Sequence, residues 1–269
     1  MRKVKINLMR KESRKISGLL GTLDSVVAIA SFGSLFIKNL KSEPRDIDLA
    51  IFCSKIPKKS TLRKCLKPVV KEWWSDWDPI ETRAAFTSRN DNQVDLALIS
   101  IKFIERKLDD FKMKTPPHWQ LVSSVYYSKT LYDPKAIIKK YRKEMTPFPS
   151  WLRIHFRNSI GTTYFFMESE WIKGELEKGN KTLVNYRLVM MKEELDHLLF
   201  AVNRKYYFHP KHVEREYKTL KLIPKNYAKL SDAFSDTRGV SLKKRIEILY
   251  KMARGLERVI KSKAPELLK

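Results

Sequence analysis

Two aspartates, Asp46 and Asp48, lie one residue apart in the apolar run "DIDLAIF" and are the residues best suited to do chemistry. In a strand, alternate side chains point to one face, so both carboxylates lie side by side while Ile47 and Leu49 pack on the other face. Neighbouring carboxylates repel each other, which raises the pKa of one of them unless a cation neutralises the pair. A hard divalent cation with oxygen ligands is the expected partner.

A third acid, Asp95, lies in a similar apolar run, "QVDLALIS". Val94 and Leu96 occupy one face of this predicted strand, which leaves Asp95 on the other face. If the two strands are neighbours in one sheet, the three carboxylates converge. Such a triad suits two magnesium ions about 3.5–4 Å apart, one activating an attacking hydroxyl and the other steadying a triphosphate.

A Gly-Ser pair, Gly33 and Ser34, ends the apolar run that precedes the aspartates. Gly33 lets the backbone approach a phosphate closely, and Ser34 is predicted to begin a short helix over 34–40 whose free N–H groups attract anions. Three basic side chains in the connecting loop could neutralise more of a triphosphate, or could simply be solvated. They are Lys38, Lys41 and Arg45.

The elements that must position these residues form a mixed α/β pattern in the first half of the chain. A basic helix is predicted within residues 1–20, and the turn-rich sequence at 89–92 predicts a hairpin. Strands are predicted at 25–32, 46–52, 83–88 and 93–100, helices at 60–74 and 101–111, and an extended segment at 123–133.

The second half of the chain, after the breaker-rich segment "TPFPS" at 146–150, has apolar residues at helical spacing. It is predicted to be an all-α helical bundle, with long helices over 156–171, 184–206 and 242–260 and shorter ones near 212–220 and 226–234. We therefore predict two domains, a nucleotide-binding and metal-binding domain at 1–146 and a helical domain at 147–269 that binds the acceptor or mediates dimerisation. A homodimer through the helical domain is a further hypothesis.

The charge of the chain is strongly positive, with 55 Lys and Arg against 30 Asp and Glu and a net charge of +25. Surface ion-pair networks need both signs, so they explain only part of this excess. The remainder favours a polyanionic partner, either nucleic acid, here RNA, or a nucleoside triphosphate. No apolar run approaches the roughly 20 residues that cross a membrane, and the charged N-terminus is unlike a secretory leader, so a cytoplasmic location is expected.

The segment "SFGS", followed by "DIDLAIF" and by Asp95, resembles the signature of the DNA polymerase β-like nucleotidyltransferase superfamily over about residues 25–100. That signature is an apolar residue, Gly, then Gly or Ser, a spacer of roughly ten residues and Asp-x-Asp or Asp-x-Glu, with a third acid on a later strand. The run "LFIKNLKSE" replaces the Arg-x-Arg-Gly-like run of the small members, which leaves the subfamily open.

The resemblance implies a small mixed sheet with flanking helices that binds Mg²⁺ and a nucleoside triphosphate. It implies that Gly33 and Ser34 hold the β and γ phosphates. It also implies that Asp46 and Asp48 ligate both metal ions. Asp95 would then bind the catalytic metal and help to deprotonate the acceptor hydroxyl.

The helical half resembles in outline the partner domains of aminoglycoside nucleotidyltransferases, notably in "LLFAVNRKYYFHP" at 198–210. In this segment the candidate contacts to nucleotide or acceptor are Asn203, Arg204, Lys205 and Tyr206. The alternative is a helix C-terminus whose basic residues interact with the helix dipole.

The predicted function is Mg²⁺-dependent transfer of a nucleoside monophosphate, with AMP from ATP as the first choice and Mn²⁺ as an alternative metal. Pyrophosphate is released and a hydroxyl, expected on RNA, accepts the nucleotide. Two alternatives stay open: a nucleotidyltransferase acting on an aminoglycoside-type small molecule or a protein, and a non-catalytic, basic RNA-binding module on the same fold.

Overall fold

The computed structural model describes residues 2–36, 44–74, 82–115, 117–207, 213–236 and 239–267. The chain divides into two compact units, Met1–Pro147 and Phe148–Lys269. Within these described ranges, none of the helices combines the length and the apolar composition that a membrane span requires.

The first unit is built on a six-stranded mixed sheet with the strand order β3-β4-β5-β2-β1-β6. The central strands β2 and β5 pair in parallel, and the other neighbours pair antiparallel. The mixed α/β prediction is therefore confirmed for this half.

The strands are β1 (Val26–Phe32), β2 (Asp46–Cys53), β3 (Val70–Trp73), β4 (Arg83–Ser88), β5 (Gln93–Ser100) and β6 (Lys129–Tyr132). The helices are α1 (Arg2–Leu20), α2 (Lys59–Leu66), α3 (Ile101–Lys112), α4 (Trp119–Val122), a π-helical turn (Ser123–Tyr127) and α5 (Ile137–Glu144).

The core of the first unit lies between the sheet and α1. On β5, Val94, Leu96 and Leu98 are buried while the residues between them are partly exposed, as the alternating sequence predicts. These side chains belong to the same apolar cluster as Ile16 and Leu20 of α1. The cluster makes β2 and β5 a rigid support for any polar side chain on their other face.

The helix predicted at 60–74 is wrong in its second half. Helix α2 ends at Leu66, and the chain returns as β3 from Val70, which pairs with β4. Pro68 explains the break, because proline has no N–H to donate and its ring clashes with the preceding helical turn. The β-branched pair that follows, Val69 and Val70, favours the strand.

The segment predicted to be extended at 123–133 is helical in its first part. The Arg142 side chain donates from Nε to the Val125 carbonyl and from Nη2 to the Ser128 carbonyl, each at 2.6 Å. These two carbonyls would accept hydrogen bonds from a neighbouring strand if the segment were extended, but here Arg142 occupies them. The tertiary contact therefore outweighs the β propensity of "VYY" at 125–127. Only Lys129–Tyr132 forms a strand, β6.

A buried carboxylate on α1 forms hydrogen bonds with the turn between β4 and β5. Glu12 is 5% exposed and accepts hydrogen bonds from the side-chain amides of Asn90, at 2.9 Å, and Asn92, at 2.5 Å. The basic helix predicted from the sequence is thus tied to the sheet through its one acidic residue.

We expect Glu12→Ala to lower the free energy of unfolding by about 1–3 kcal/mol, because it removes a buried hydrogen-bonded acceptor. Urea unfolding followed by circular dichroism measures the change. Lys11→Ala, at the exposed neighbouring position of the same helix, is the control and should change stability by less than about 0.5 kcal/mol. Equal stability of the two variants would contradict this role for Glu12.

The second unit is helical throughout its described part, where no strand occurs. The long helix α9 packs against α6, α7, α8 and α12, and α11 packs against α12. The helices are α6 (Ser150–Phe156), α7 (Ser159–Glu168), α8 (Glu170–Glu177), α9 (Lys181–Val202), α10 (Val213–Glu216), α11 (Tyr227–Ser235) and α12 (Leu242–Lys263), with 3₁₀ turns at Tyr217–Thr219 and Pro265–Leu267.

The single helix predicted over 156–171 is wrong, because the chain breaks there into α6, α7 and α8. Ser169 adopts an extended backbone between α7 and α8, and its hydroxyl donates to the Phe166 carbonyl at 2.8 Å. Serine often competes with a helix in this way by bonding to a nearby backbone group. The apolar spacing alone carried no sign of the break.

A buried polar network joins α9 to the 3₁₀ turn at 217–219 and to α11. Asp196 is completely buried and accepts hydrogen bonds from Lys192 at 2.6 Å, Tyr217 at 2.6 Å and Tyr227 at 3.1 Å. A buried charge that is paired and hydrogen-bonded in this way fixes how the three elements meet.

Candidate metal and nucleotide site

The structure brings the three predicted carboxylates together. Because β2 and β5 are parallel neighbours in register, Asp48 lies beside Asp95, and Asp46 lies beside Gln93. Each aspartate offers one carboxylate oxygen, and these oxygens all lie within 4.8 Å of one another. All three side chains are partly exposed, so solvent or a ligand can reach them.

The electrostatics of this cluster favour a bound cation. Burial raises the pKa of Asp95, and the negative charge of Asp46 raises it further. Two neighbours act in the opposite direction: Gln93, whose Nε2 donates to Asp95 Oδ2 at 3.0 Å, and the cationic Arg83. The protein thus places Asp95 where ionisation is costly, and a cation beside its carboxylate would reduce that cost.

The donor set fits a hard divalent metal ion. The three ligand atoms are carboxylate oxygens, which Mg²⁺ and Mn²⁺ prefer, and the cluster contains neither cysteine nor histidine. Two strands of one sheet carry the ligands, so their spacing is set by the backbone register.

Gly33 passes so close to Asp48 that no other residue fits without displacement. Strand β1 pairs antiparallel with β2 and places Phe32 opposite Asp48, so the chain turns directly past the carboxylate. A Cβ on Gly33 would overlap Asp48 Oδ2 and would lie 2.9 Å from its Cγ. The backbone φ of +77° at Gly33 is also in the region that favours glycine.

The turn after Gly33 is held by helix α1. Arg10 donates from Nε to the Leu35 carbonyl at 3.1 Å, and its guanidinium carbon lies 5.4 Å from the centre of the Phe36 ring. Residues 33–36 form a bend and a turn, so the predicted helix does not begin at Ser34. The rest of that predicted helix lies outside the described residues.

The other predicted contacts lie in different parts of the chain. Arg45 is exposed and directly precedes Asp46, whereas Lys38 and Lys41 lie outside the described residues. Asn203 and Arg204 belong to the second compact unit, just after α9.

Three residues near the site were not predicted from the sequence: Gln93, Arg83 and Arg10. Gln93 stands two residues before Asp95 on the same strand, so the period of two could have placed both on one face. Arg83 could have been found from the predicted hairpin, in which it pairs with Ala97 on β5. Nothing in the sequence near the Gly-Ser pair indicates Arg10, because the contact is tertiary.

The chain matches no protein-family model and no curated protein sequence. Among solved structures it is similar to a nucleotidyltransferase-like protein from Exiguobacterium sibiricum 255-15, with 14% identity and a TM-score of 0.41; the match covers 97% of this chain and 78% of the other. It is also similar to a structure of the CdnC:HORMA-deltaN complex from E. coli MS115-1, with 11% identity and a TM-score of 0.30; this match covers 100% of this chain and 89% of the other.

Proposed function

We propose that this protein is a metal-dependent nucleotidyltransferase of the DNA polymerase β-like superfamily. It transfers a nucleoside monophosphate, AMP from ATP in the first instance, to a hydroxyl group and releases pyrophosphate. The observation that carries the proposal is the set of three carboxylates on neighbouring parallel strands, with their oxygens within 4.8 Å of one another beside the Gly33 turn.

In this proposal Asp46 and Asp48 would hold two divalent ions, and Asp95 would help to hold the ion that activates the acceptor hydroxyl. When bound, Mg²⁺ would lower the pKa of an acceptor hydroxyl and offset negative charge on the triphosphate. The side chains keep their positions because β2 and β5 are locked in register, and because the Gln93 amide orients the Asp95 carboxylate.

The Gly33 and Ser34 turn binds the β and γ phosphates in this proposal. The absence of a side chain at Gly33 lets the turn pass directly against the Asp48 carboxylate, so phosphates bound to a metal at Asp48 would lie close to the backbone of the turn. Arg45, exposed next to Asp46, supplies a positive charge near the same place, and we assign a like role to Lys38 and Lys41.

RNA is the acceptor that the charge of the chain supports best. A net charge of +25 favours a polyanion over a small neutral or cationic acceptor. RNA binding that depends on these charges should weaken steeply as salt concentration rises, and a flat salt response would count against RNA as the acceptor.

The experiment incubates the purified full-length protein with Mg²⁺, each α-³²P-labelled nucleoside triphosphate and separate pools of RNA, protein and metabolites. Asp46→Asn is assayed in parallel. The proposal expects label in one pool with the wild type and none with the variant. Label in no pool, or equal labelling by both proteins, would overturn the enzymatic function.

A further inference from the structure

The second unit contains a cavity of about 430 Å³ where α9 and α12 end. Five basic side chains and one acidic side chain line it, so the lining carries a large excess of positive charge. These residues are Arg153, Arg204, Lys205, Lys221, Lys263 and Glu266.

Arg153 is the most deeply buried of these charged groups. It is 8% exposed, and its Nη2 donates to Glu266 Oε1 at 2.7 Å. Its Nε is buried and has no hydrogen-bond partner in the part of the chain that the structure describes. A buried guanidinium donor without an acceptor is uncommon in proteins, and it leaves Arg153, in the wall of the cavity, with unused hydrogen-bonding capacity.

Arg204 occupies a backbone conformation that costs energy for any residue with a side chain. Its φ is +54°, in the left-handed region, where glycine and asparagine usually end a helix. The backbone N–H of Arg204 bonds to the Ala201 carbonyl at 2.9 Å, as in an ordinary helix C-terminus. The helix end therefore needs this conformation but not an arginine, which suggests that the guanidinium serves another purpose.

Asn203 builds the wall of the cavity rather than facing a ligand. Its Oδ1 accepts from the backbone N–H groups of Lys221 and Leu222, at 2.9 and 2.8 Å. Its Nδ2 donates to the carbonyls of Leu199 and Leu222, at 2.8 and 2.9 Å. Asn203 is thus a positioning residue that holds Lys221 at the rim of the cavity.

We propose that this cavity binds a phosphate group carried by a larger molecule. Arginine guanidinium and lysine ammonium groups are complementary to phosphate oxygens in charge and in hydrogen-bond geometry. A free phosphate would fill little of the volume, whereas a nucleotide or a nucleic-acid backbone would occupy it. The site belongs to the second unit and does not rest on nucleotidyl transfer by the aspartates.

Two probes distinguish the sources of the phosphate: a fluorescein-labelled, single-stranded 20-nucleotide RNA and N-methylanthraniloyl-AMP. Binding is measured by fluorescence anisotropy with EDTA present, so that metal-dependent binding at the aspartates does not contribute. Transfer activity is assayed separately, which keeps a failure of this inference distinct from a failure of the proposed function.

The test variant is Arg204→Gly combined with Lys221→Ala. The glycine relieves the left-handed strain, so the variant should fold as well as the wild type, and its melting temperature verifies this. Lys229→Ala is the charge control, because Lys229 is an exposed lysine of the same unit outside the cavity.

We expect the double variant to bind at least one probe about tenfold or more weakly, and Lys229→Ala to stay within about twofold of the wild type. Weaker binding of the RNA probe alone assigns the site to a nucleic-acid backbone. Weaker binding of the nucleotide probe, with or without weaker binding of RNA, assigns it to a phosphate that mononucleotides also carry. The inference would be overturned if the double variant bound both probes as tightly as the wild type does. It would also be overturned if Lys229→Ala weakened probe binding as much as the double variant does.

Discussion

Replacing Asp48 by asparagine is expected to lower the rate of nucleotidyl transfer at least about 1,000-fold, equivalent to roughly 4 kcal/mol of transition-state stabilisation. Asparagine keeps the size of the side chain beside Gly33 but carries no negative charge. Asp48 pairs with Asp95 across the two parallel strands, so its loss would remove one of the three carboxylates of the cluster. Initial rates of transfer from α-³²P-labelled ATP measure the effect.

Asp91→Asn is the matched control for this substitution. Asp91 lies in the turn between β4 and β5, is exposed, and contacts the exposed Lys71 at 2.5 Å. Its φ of +58° is one that asparagine tolerates, so the fold should be unaffected. We expect its rate within about twofold of the wild type, since surface changes of this kind have small effects. An Asp48→Asn rate above a tenth of the wild-type rate would contradict the role assigned to Asp48.

Gly33→Ala should lower activity about 100-fold or more, because its Cβ would overlap the carboxylate of Asp48 and push it away from Asp46 and Asp95. Displacement of a positioned catalytic group by about 1 Å costs on the order of 100-fold in rate. The substitution should also reduce stability by about 1–2 kcal/mol, since alanine is strained at a φ of +77°. Transfer rate and urea unfolding measure the two effects separately.

Gly179→Ala separates backbone strain from overlap with the carboxylate. Gly179 has a φ of +78°, nearly that of Gly33, but a Cβ there meets nothing within 4 Å. We expect it to lose a similar 1–2 kcal/mol of stability while transferring nucleotide at close to the wild-type rate. If Gly33→Ala is as active as Gly179→Ala, the close approach of Gly33 to Asp48 has no part in catalysis.

The strands that carry the aspartates were predictable because their alternation is strong. The run at 46–52 and the run at 93–100 both place aliphatic residues on one face, and the structure buries those residues. The parallel register that sets Asp48 beside Asp95 was not predictable, since it depends on contacts between strands far apart in sequence.

Local rules failed where a tertiary contact or a single residue changes the backbone. Where a single helix was predicted, the chain forms helix α2 and then strand β3, because Pro68 breaks the helix. This effect of proline could have been predicted from the sequence. By contrast, the carbonyl contacts of Arg142 and the contact of Arg10 with the Gly33 turn join segments separated by 14 or more residues. No pattern within one segment carries such information.

Manganese placed in crystals together with a non-hydrolysable ATP analogue tests whether the three aspartates bind metal, because anomalous scattering locates the ion. We expect an anomalous peak between Asp46, Asp48 and Asp95, with carboxylate oxygens about 2.0–2.2 Å from the ion, and we expect this peak to be lost in Asp48→Asn. A bound analogue whose manganese lies elsewhere, with no peak among the three aspartates, would contradict this expectation.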